Sequence, residues 1–158
     1  MIVNDYSAEL VVAGTFADAG WNVYFPHRDK GFDFIITKDI EGIGELIRPV
    51  QVKGKYPTGD KMDKATYGYV GKLTKLHPQM VLAMPFYNSN SVILPNFIAY
   101  LPISMIKKCS RGYRCQPATF KNGEPIKRPF YAKFFDMEGL TLLENVNWND
   151  IKATSKKP

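Results

Sequence analysis

The first periodic segment of the chain predicts an amphipathic helix over residues 5–19. Alanines are frequent in this segment, and Gly20 follows it as a C-terminal stop. At 100° per residue, Glu9 falls on the side of the helix that carries Phe16. A carboxylate on an apolar stripe needs either a charged partner or a functional role.

Three short runs after this helix predict an antiparallel meander. They are "NVYF" (22–25), "FDFIIT" (32–37) and "ELIRPVQVK" (45–53), and short polar turns separate them. Pro49 has no amide hydrogen, so we expect a bulge or a locally unpaired position there.

The next part of the chain predicts a crossover and a buried strand. Residues 54–75 are rich in Gly and Lys, and a helix is predicted toward their end. The continuous apolar run "QMVLAMPFY" (79–87) is typical of a buried strand. "VILPNFIAYLPISMI" (92–106) predicts a further strand followed by a short helix.

This order of elements predicts an α/β domain with a central mixed sheet. Its core is a helix, a three-strand meander, a helix and a strand, followed by a basic C-terminal extension. We expect one domain over residues 1–151, with the core at about 5–105 and the extension at about 106–151. Residues 152–158 are predicted to be a flexible tail.

Composition narrows the class of protein. Hydrophobic residues make up 45% and aromatics 13%, which excludes a disordered or fibrous chain. No apolar run approaches the roughly 20 residues of a membrane-spanning helix, and the N-terminus lacks a signal-peptide pattern. We therefore expect a cytoplasmic protein. Cys109 and Cys115 are expected to be reduced and structural, since zinc needs about four ligands and no His lies near them.

The distribution of charge is more informative than the net value of +6. Residues 1–52 carry eight acidic and four basic side chains, whereas residues 107–133 carry eight basic side chains and one acidic. Residues 53–75 hold six Lys against two Asp. This pattern suits carboxylates that hold a cation and a separate basic surface that meets a polyanion. A solvated basic face is the alternative.

Polar side chains on the predicted meander point to one site. Gln51 and Lys53 alternate with Val50 and Val52, so the two polar side chains lie on one face of the strand. If the meander closes in register, Asp33 faces the same side. Mg²⁺ prefers oxygen ligands, and a Lys beside it can orient water or stabilise charge on phosphorus. These residues predict metal-assisted phosphodiester hydrolysis, although a solvated outer face would also explain them.

The order of these motifs resembles the PD-(D/E)XK nuclease superfamily: a helix Glu, then "GFDFII", then "RPVQVKGK". Asp33 matches the motif Asp and Lys53 the motif Lys, while Gln51 stands where Asp or Glu is usual. Gln-X-Lys versions occur in this superfamily. Over about residues 5–105 the chain is similar to small single-domain PD-(D/E)XK endonucleases, including the kind encoded within group I introns.

This resemblance implies a Mg²⁺-dependent deoxyribonuclease in which Mn²⁺ can substitute. Its catalytic residues would be Glu9, Asp33, Gln51 and Lys53. Asp33, Gln51, the Val52 carbonyl and Glu9 would hold the metal, and Lys53 would position the nucleophile. Cutting both strands of double-stranded DNA usually needs two active sites, which implies a homodimer or homotetramer.

The basic segments supply the expected DNA contacts. The expected contact residues are Lys55, Lys61, Lys64, Arg111, Arg114, Lys121, Lys127 and Arg128. Arg111 and Arg114 suit base contacts and the others suit phosphates. Two alternatives stay open. One is a catalytically inactive nucleic-acid-binding module, favoured because Gln51 replaces an acid. The other is an RNA- or protein-binding accessory factor that uses residues 107–133.

Overall fold

The computed structural model describes residues 5–28, 31–57, 69–71, 73, 76–91 and 93–153. Within these residues the helices are α1 (Asp5–Asp18) and α2 (Asp136–Leu142). The strands are β1 (Asn22–Tyr24), β2 (Phe34–Ile40), β3 (Gly44–Val52), β4 (Tyr69–Gly71), β5 (Val81–Phe86), β6 (Phe97–Leu101), β7 (Lys107–Cys109), β8 (Gly112–Arg114), β9 (Ala118–Lys121) and β10 (Glu124–Lys127). Short 3-10 helices occupy Ile103–Met105, Pro129–Phe134 and Trp148–Asp150.

A five-stranded mixed sheet forms the centre, in the order β1-β2-β3-β5-β6. β1, β2 and β3 form an antiparallel meander, β5 runs parallel to β3, and β6 is antiparallel to β5. The predicted α/β class, the antiparallel meander and the mixed central sheet are confirmed. β3 is the strand that joins the meander to the parallel pair, so residues near its end meet both neighbours.

Strands β5 and β6 of the sheet are buried on both faces. α1 covers one face, where Val12 and Phe16 pack with Phe34, Val50 and other core residues. On the other face, Leu82 and Met84 of β5 pack against residues of β9 and of the 3-10 helix Pro129–Phe134. Every residue of β5 is buried. Because β5 is buried on both faces, its sequence is a continuous run of apolar residues.

Of the two features predicted at Pro49, the bulge is absent and a locally unpaired position on the β5 side is present. The β2–β3 register runs without a shift from Phe34–Val50 to Ile40–Gly44, with Pro49 opposite Ile35. The Val50 carbonyl faces β2, because it accepts the amide of Asp33. Backbone groups alternate along a strand, so Pro49 lacks its amide hydrogen on the opposite side, before the pairing with β5 begins at Val50.

The helix predicted toward the end of residues 54–75 is wrong where the structure describes the chain. Residues 69–71 form β4, which pairs with β8 of the extension in the three-stranded sheet β4-β8-β7. Residues 58–68, 72, 74 and 75 lie outside the described part. The pairing partner of β4 lies more than 40 residues later along the chain, so local sequence could not reveal it.

The basic extension folds into small antiparallel units. β7 and β8 form one hairpin, and β9 and β10 form another that turns at Asn122 and Gly123. Both cysteines are free thiols, with Cys115 buried. Of the helices in the described ranges, none has the length and apolar character needed to cross a membrane. Of the predicted tail, residues 152 and 153 are described, and Ala153 packs against the core of this region.

Candidate active site

Asp33 sits against the open end of β3. It lies immediately before β2, which begins at Phe34 rather than at the predicted residue 32. The last paired residues of β2 and β3 are Phe34 and Val50, so the amide of Val52 extends beyond the ladder. That amide donates to Asp33 Oδ2 at 2.6 Å. The carboxylate therefore satisfies a backbone donor and is held beside β3.

Gln51 is buried, with 6% of its surface exposed, so a solvated outer face does not describe it. Its Nε2 donates to the carbonyl of Gly31 at 2.9 Å. Since a carbonyl can only accept, this contact assigns the amide nitrogen to Gly31 and leaves Oε1 directed elsewhere. Oε1 is buried and has no hydrogen-bond partner among the described residues. Leaving such an atom unsatisfied costs about 1–3 kcal/mol, so we expect a water molecule or a cation to contact it.

Glu9 approaches the same region from α1. It lines a cleft of about 290 Å³ together with Asp33 and with Tyr6, Phe25, Pro26 and Phe32. The helix residue and the strand residue, 24 positions apart in the sequence, thus share one cleft. Two carboxylates line it, and the other four side chains carry no charge.

Lys53 and Lys55 follow the last residue of β3, and their backbone amides extend the pairing with β5. The amide of Lys53 donates to Ala83 and that of Lys55 to Pro85, both at 2.9 Å. Within the described ranges, Lys53 makes no ion pair with a carboxylate. Burial, and then the nearby charge of Lys53, lower the pKa of Lys55 to about 8. Lys53 and Lys55 are therefore close enough for their positive charges to repel each other.

The oxygen donors near Asp33 and Gln51 are of the chemical types that bind a hard divalent cation. Asp33 offers a carboxylate, Gln51 offers a buried amide oxygen without a partner, and the carbonyl of Val52 leaves the strand on the side of Asp33. No group of three or more His, Cys, Asp or Glu converges in the part of the chain that is described. Mg²⁺ commonly takes one or two carboxylates and keeps water and substrate phosphate as its other ligands, which matches this sparse set.

The expected DNA contacts fall in different places. Arg114 and Arg128 line a second cleft of about 660 Å³, while Arg111 and Lys121 are exposed outside it. Lys127 Nζ forms an ion pair with Asp136 at 3.2 Å. Lys61 and Lys64 lie outside the described residues.

Sequence reasoning missed three cations of the second cleft. They are Lys107, Lys108 and Lys152. The dense positive charge of residues 107–133 was a signal for the first two. Lys152 had been assigned to the tail, and only the packing of the chain after Ile151 brings it to the cleft.

Comparisons with known proteins assign no function to the chain, so the geometry of the site is the basis for proposing one. No protein-family model matches the chain, no curated protein matches its sequence, and no solved structure matches its fold. The resemblance to PD-(D/E)XK nucleases therefore depends on the motifs and on two contacts: Glu9 and Asp33 share one cleft, and Asp33 accepts the Val52 amide beside Gln51. Among the described residues no hydrogen bond or ion pair joins the Lys53 side chain to these three side chains.

Proposed function

We propose that the protein is a metal-dependent DNA endonuclease of PD-(D/E)XK type. The observation that supports this best is the buried Oε1 of Gln51, which has no partner among the described residues and lies one residue from the amide that holds Asp33. A cation at this point would satisfy the amide oxygen and a carboxylate together.

The order of elements also supports the proposal. α1 packs on a sheet in which an antiparallel meander is followed by a strand parallel to its last member. This order of helix, meander and further strand supports a restriction-endonuclease-like core. The helix expected between β3 and β5 is a departure from that core, because β4 forms there where the structure describes the chain.

The chain's own residues divide the chemistry between them. Asp33, Gln51 and the Val52 carbonyl would hold Mg²⁺ or Mn²⁺, with Glu9 acting across the cleft through water. The bound ion would polarise the phosphate and lower the pKa of a water molecule. Lys53, which has no ion-pair partner among the described residues, would orient the attacking water and stabilise the negative charge that develops on phosphorus.

Cleavage of supercoiled plasmid and of linear duplex DNA tests the proposal. We expect nicked and linear products with Mg²⁺ or Mn²⁺ and none in excess EDTA. Lys53→Met and Asp33→Asn should each lower the rate by about 10²-fold or more, since each removes a group that acts on the transition state. Asp39→Asn is the matched control, because Asp39 is exposed near the far end of β2 opposite Glu45. Full cleavage in EDTA, or by Lys53→Met, would contradict the mechanism.

A catalytically inactive nucleic-acid-binding module is the second candidate. The observation that favours it is the same Gln51, because an amide contributes no negative charge, and Glu9 and Asp33 are the only carboxylates among the described residues that line the cleft. Calorimetric titration with Mn²⁺ separates the two candidates. Binding of the metal supports the nuclease, whereas retained DNA binding without any metal heat supports the module.

Double-strand cleavage also implies an assembly. Each chain offers one candidate active site, and cutting both strands of a duplex usually requires two. We therefore propose a homodimer or homotetramer as the form that acts on double-stranded DNA. Analytical ultracentrifugation with and without a duplex oligonucleotide measures this, and a monomer in both conditions would contradict it.

A further inference from the structure

The basic extension contains a cleft that the proposed hydrolysis does not use. Its volume is about 660 Å³, and it lies between the 3-10 helix Ile103–Met105, the β7–β8 hairpin and the 3-10 helix Pro129–Phe134. Five cations line it: Lys107, Lys108, Arg114, Arg128 and Lys152. Neither Asp nor Glu is among the lining residues that the structure describes. The positive charge of this lining favours an anionic ligand.

Two aromatic rings and a fixed guanidinium form part of the cleft. The Arg128 guanidinium donates to the carbonyl of Gln116 at 2.8 Å and lies 5.5 Å from the centre of the Tyr131 ring. Tyr131 in turn meets Phe130 edge to face, with ring centres 5.1 Å apart. Phe130 and Tyr131 are both partly exposed. Because these groups are already held in place, little side-chain entropy is lost when a ligand binds.

The shape of the cleft and the chemistry of its lining together restrict the class of ligand that it can bind. The phosphates of a duplex lie on a convex surface and its bases are stacked inside, so a uniform duplex cannot present a base to a concave cleft. An unpaired nucleotide can place its base on an aromatic ring and its phosphates on cations. A cleft of this volume is also in the range of pockets that enclose a small organic group.

We propose that this cleft binds an unpaired nucleotide of a DNA strand. Phe130 and Tyr131 contact the base, and Arg114 and Lys108 contact the flanking phosphates. If the proposed endonuclease function also holds, the substrate class is DNA with a single-stranded or extruded segment, such as an overhang, a flap or a bubble.

The cleft is connected to the candidate active site through Cys115 and Lys55. Cys115 lines the cleft, and burial raises the pKa of its thiol, while the charges of Arg128 and Lys55 act in the opposite direction. Lys55 also lies near enough to Lys53 for the two charges to repel. Lys55 is therefore close both to the cleft and to the segment that carries the candidate active site.

Fluorescence anisotropy in EDTA tests the binding separately from cleavage. The probes are a labelled 15-nucleotide oligo-dT, the same length without bases, and a duplex of equal length at one salt concentration. We expect the oligo-dT to bind about tenfold more tightly than the abasic strand, since stacking of a base contributes substantially to such binding. The oligo-dT should also bind more tightly than the duplex.

Variants locate the site. Phe130→Ala should weaken oligo-dT binding about tenfold, and Arg114→Ala should weaken it and reduce the salt dependence by about one counterion. Arg114 is exposed, so its replacement leaves the fold intact. Lys133→Ala is the matched control, because Lys133 is in the same 3-10 helix as Phe130 and is not among the cleft-lining residues.

The outcomes are distinguishable. Equal binding of oligo-dT and duplex, or unchanged binding by both cleft variants, overturns the cleft proposal even if duplex DNA is cleaved. Tighter binding of single-stranded RNA than of DNA overturns the choice of DNA. Retained oligo-dT binding without any metal-dependent cleavage overturns the endonuclease and leaves the cleft proposal standing.

Discussion

Replacing Gln51 with Glu probes the candidate metal site without relying on catalysis. In the native protein the amide nitrogen donates to Gly31, and the amide oxygen is buried without a partner among the described residues. Glutamate has nearly the same shape, but it has no hydrogen to donate when ionised. A carboxylate oxygen would then face the Gly31 carbonyl, and the new charge would lie near the carboxylate of Asp33.

The expected cost can be worked from these contacts. The change removes the hydrogen bond from Gln51 to Gly31 and places a carboxylate oxygen against the carbonyl, which costs about 1–3 kcal/mol. Two neighbouring carboxylates also repel, which raises the pKa of one of them and adds to the cost near neutral pH. We therefore expect Gln51→Glu to lower the free energy of unfolding by about 2–4 kcal/mol in EDTA.

A divalent cation should offset most of this loss of stability. With an acid at position 51 the cation gains a charged ligand, so the variant should bind it more tightly than the native protein does. A cation at 100 times its dissociation constant stabilises the folded state by about 2.7 kcal/mol. Mn²⁺ at millimolar concentration should therefore restore most of the stability that the variant loses in EDTA.

Urea unfolding followed by tryptophan fluorescence provides the assay, since Trp21 and Trp148 are both buried. Gln51→Leu is the control, because it removes the amide oxygen without adding charge and should gain no stability from Mn²⁺. If Mn²⁺ stabilises Gln51→Glu no more than Gln51→Leu, then position 51 does not face a metal and the reasoning fails.

Two further predictions concern buried cations. Arg48 is fully buried and donates to the carbonyls of Leu143 and Asn145 and to Gln79 Oε1. Arg48→Met should therefore lower the free energy of unfolding by about 3–5 kcal/mol. A loss below about 1 kcal/mol, measured by urea unfolding, would contradict this. The folded-state pKa of Lys55 is about 8, below the usual 10.5, so the folded protein releases this proton first and its stability should rise as pH increases from about 8 to about 10.5. Between pH 7.5 and 9.5 the free energy of unfolding should increase by at most about 2 kcal/mol, and Lys55→Met should abolish this increase. A native protein whose stability stays constant over this range would refute the lowered pKa of Lys55.

Part of the fold was readable from local patterns. The predicted helix over 5–19 matches α1 closely, and the meander and the buried strand β5 occur where alternation and apolar runs placed them. These features depend on the side-chain periodicity of a single element. The β9–β10 hairpin was missed although "KNGE" contained its signal, an Asn-Gly pair that adopts positive φ at both positions (52° and 77°).

Local sequence patterns predict which types of residue can hold a metal and which elements bear them, because helix and strand periods act over a few neighbouring positions. How those residues meet depends on contacts across the fold. The end of the β2–β3 ladder exposes the Val52 amide to Asp33, and the packing of α1 brings Glu9 to the same cleft. The fold of the extension gathers cations from Lys107 to Lys152 around one cleft. Such contacts join residues far apart in the chain, and they depend on register and packing that no local pattern contains.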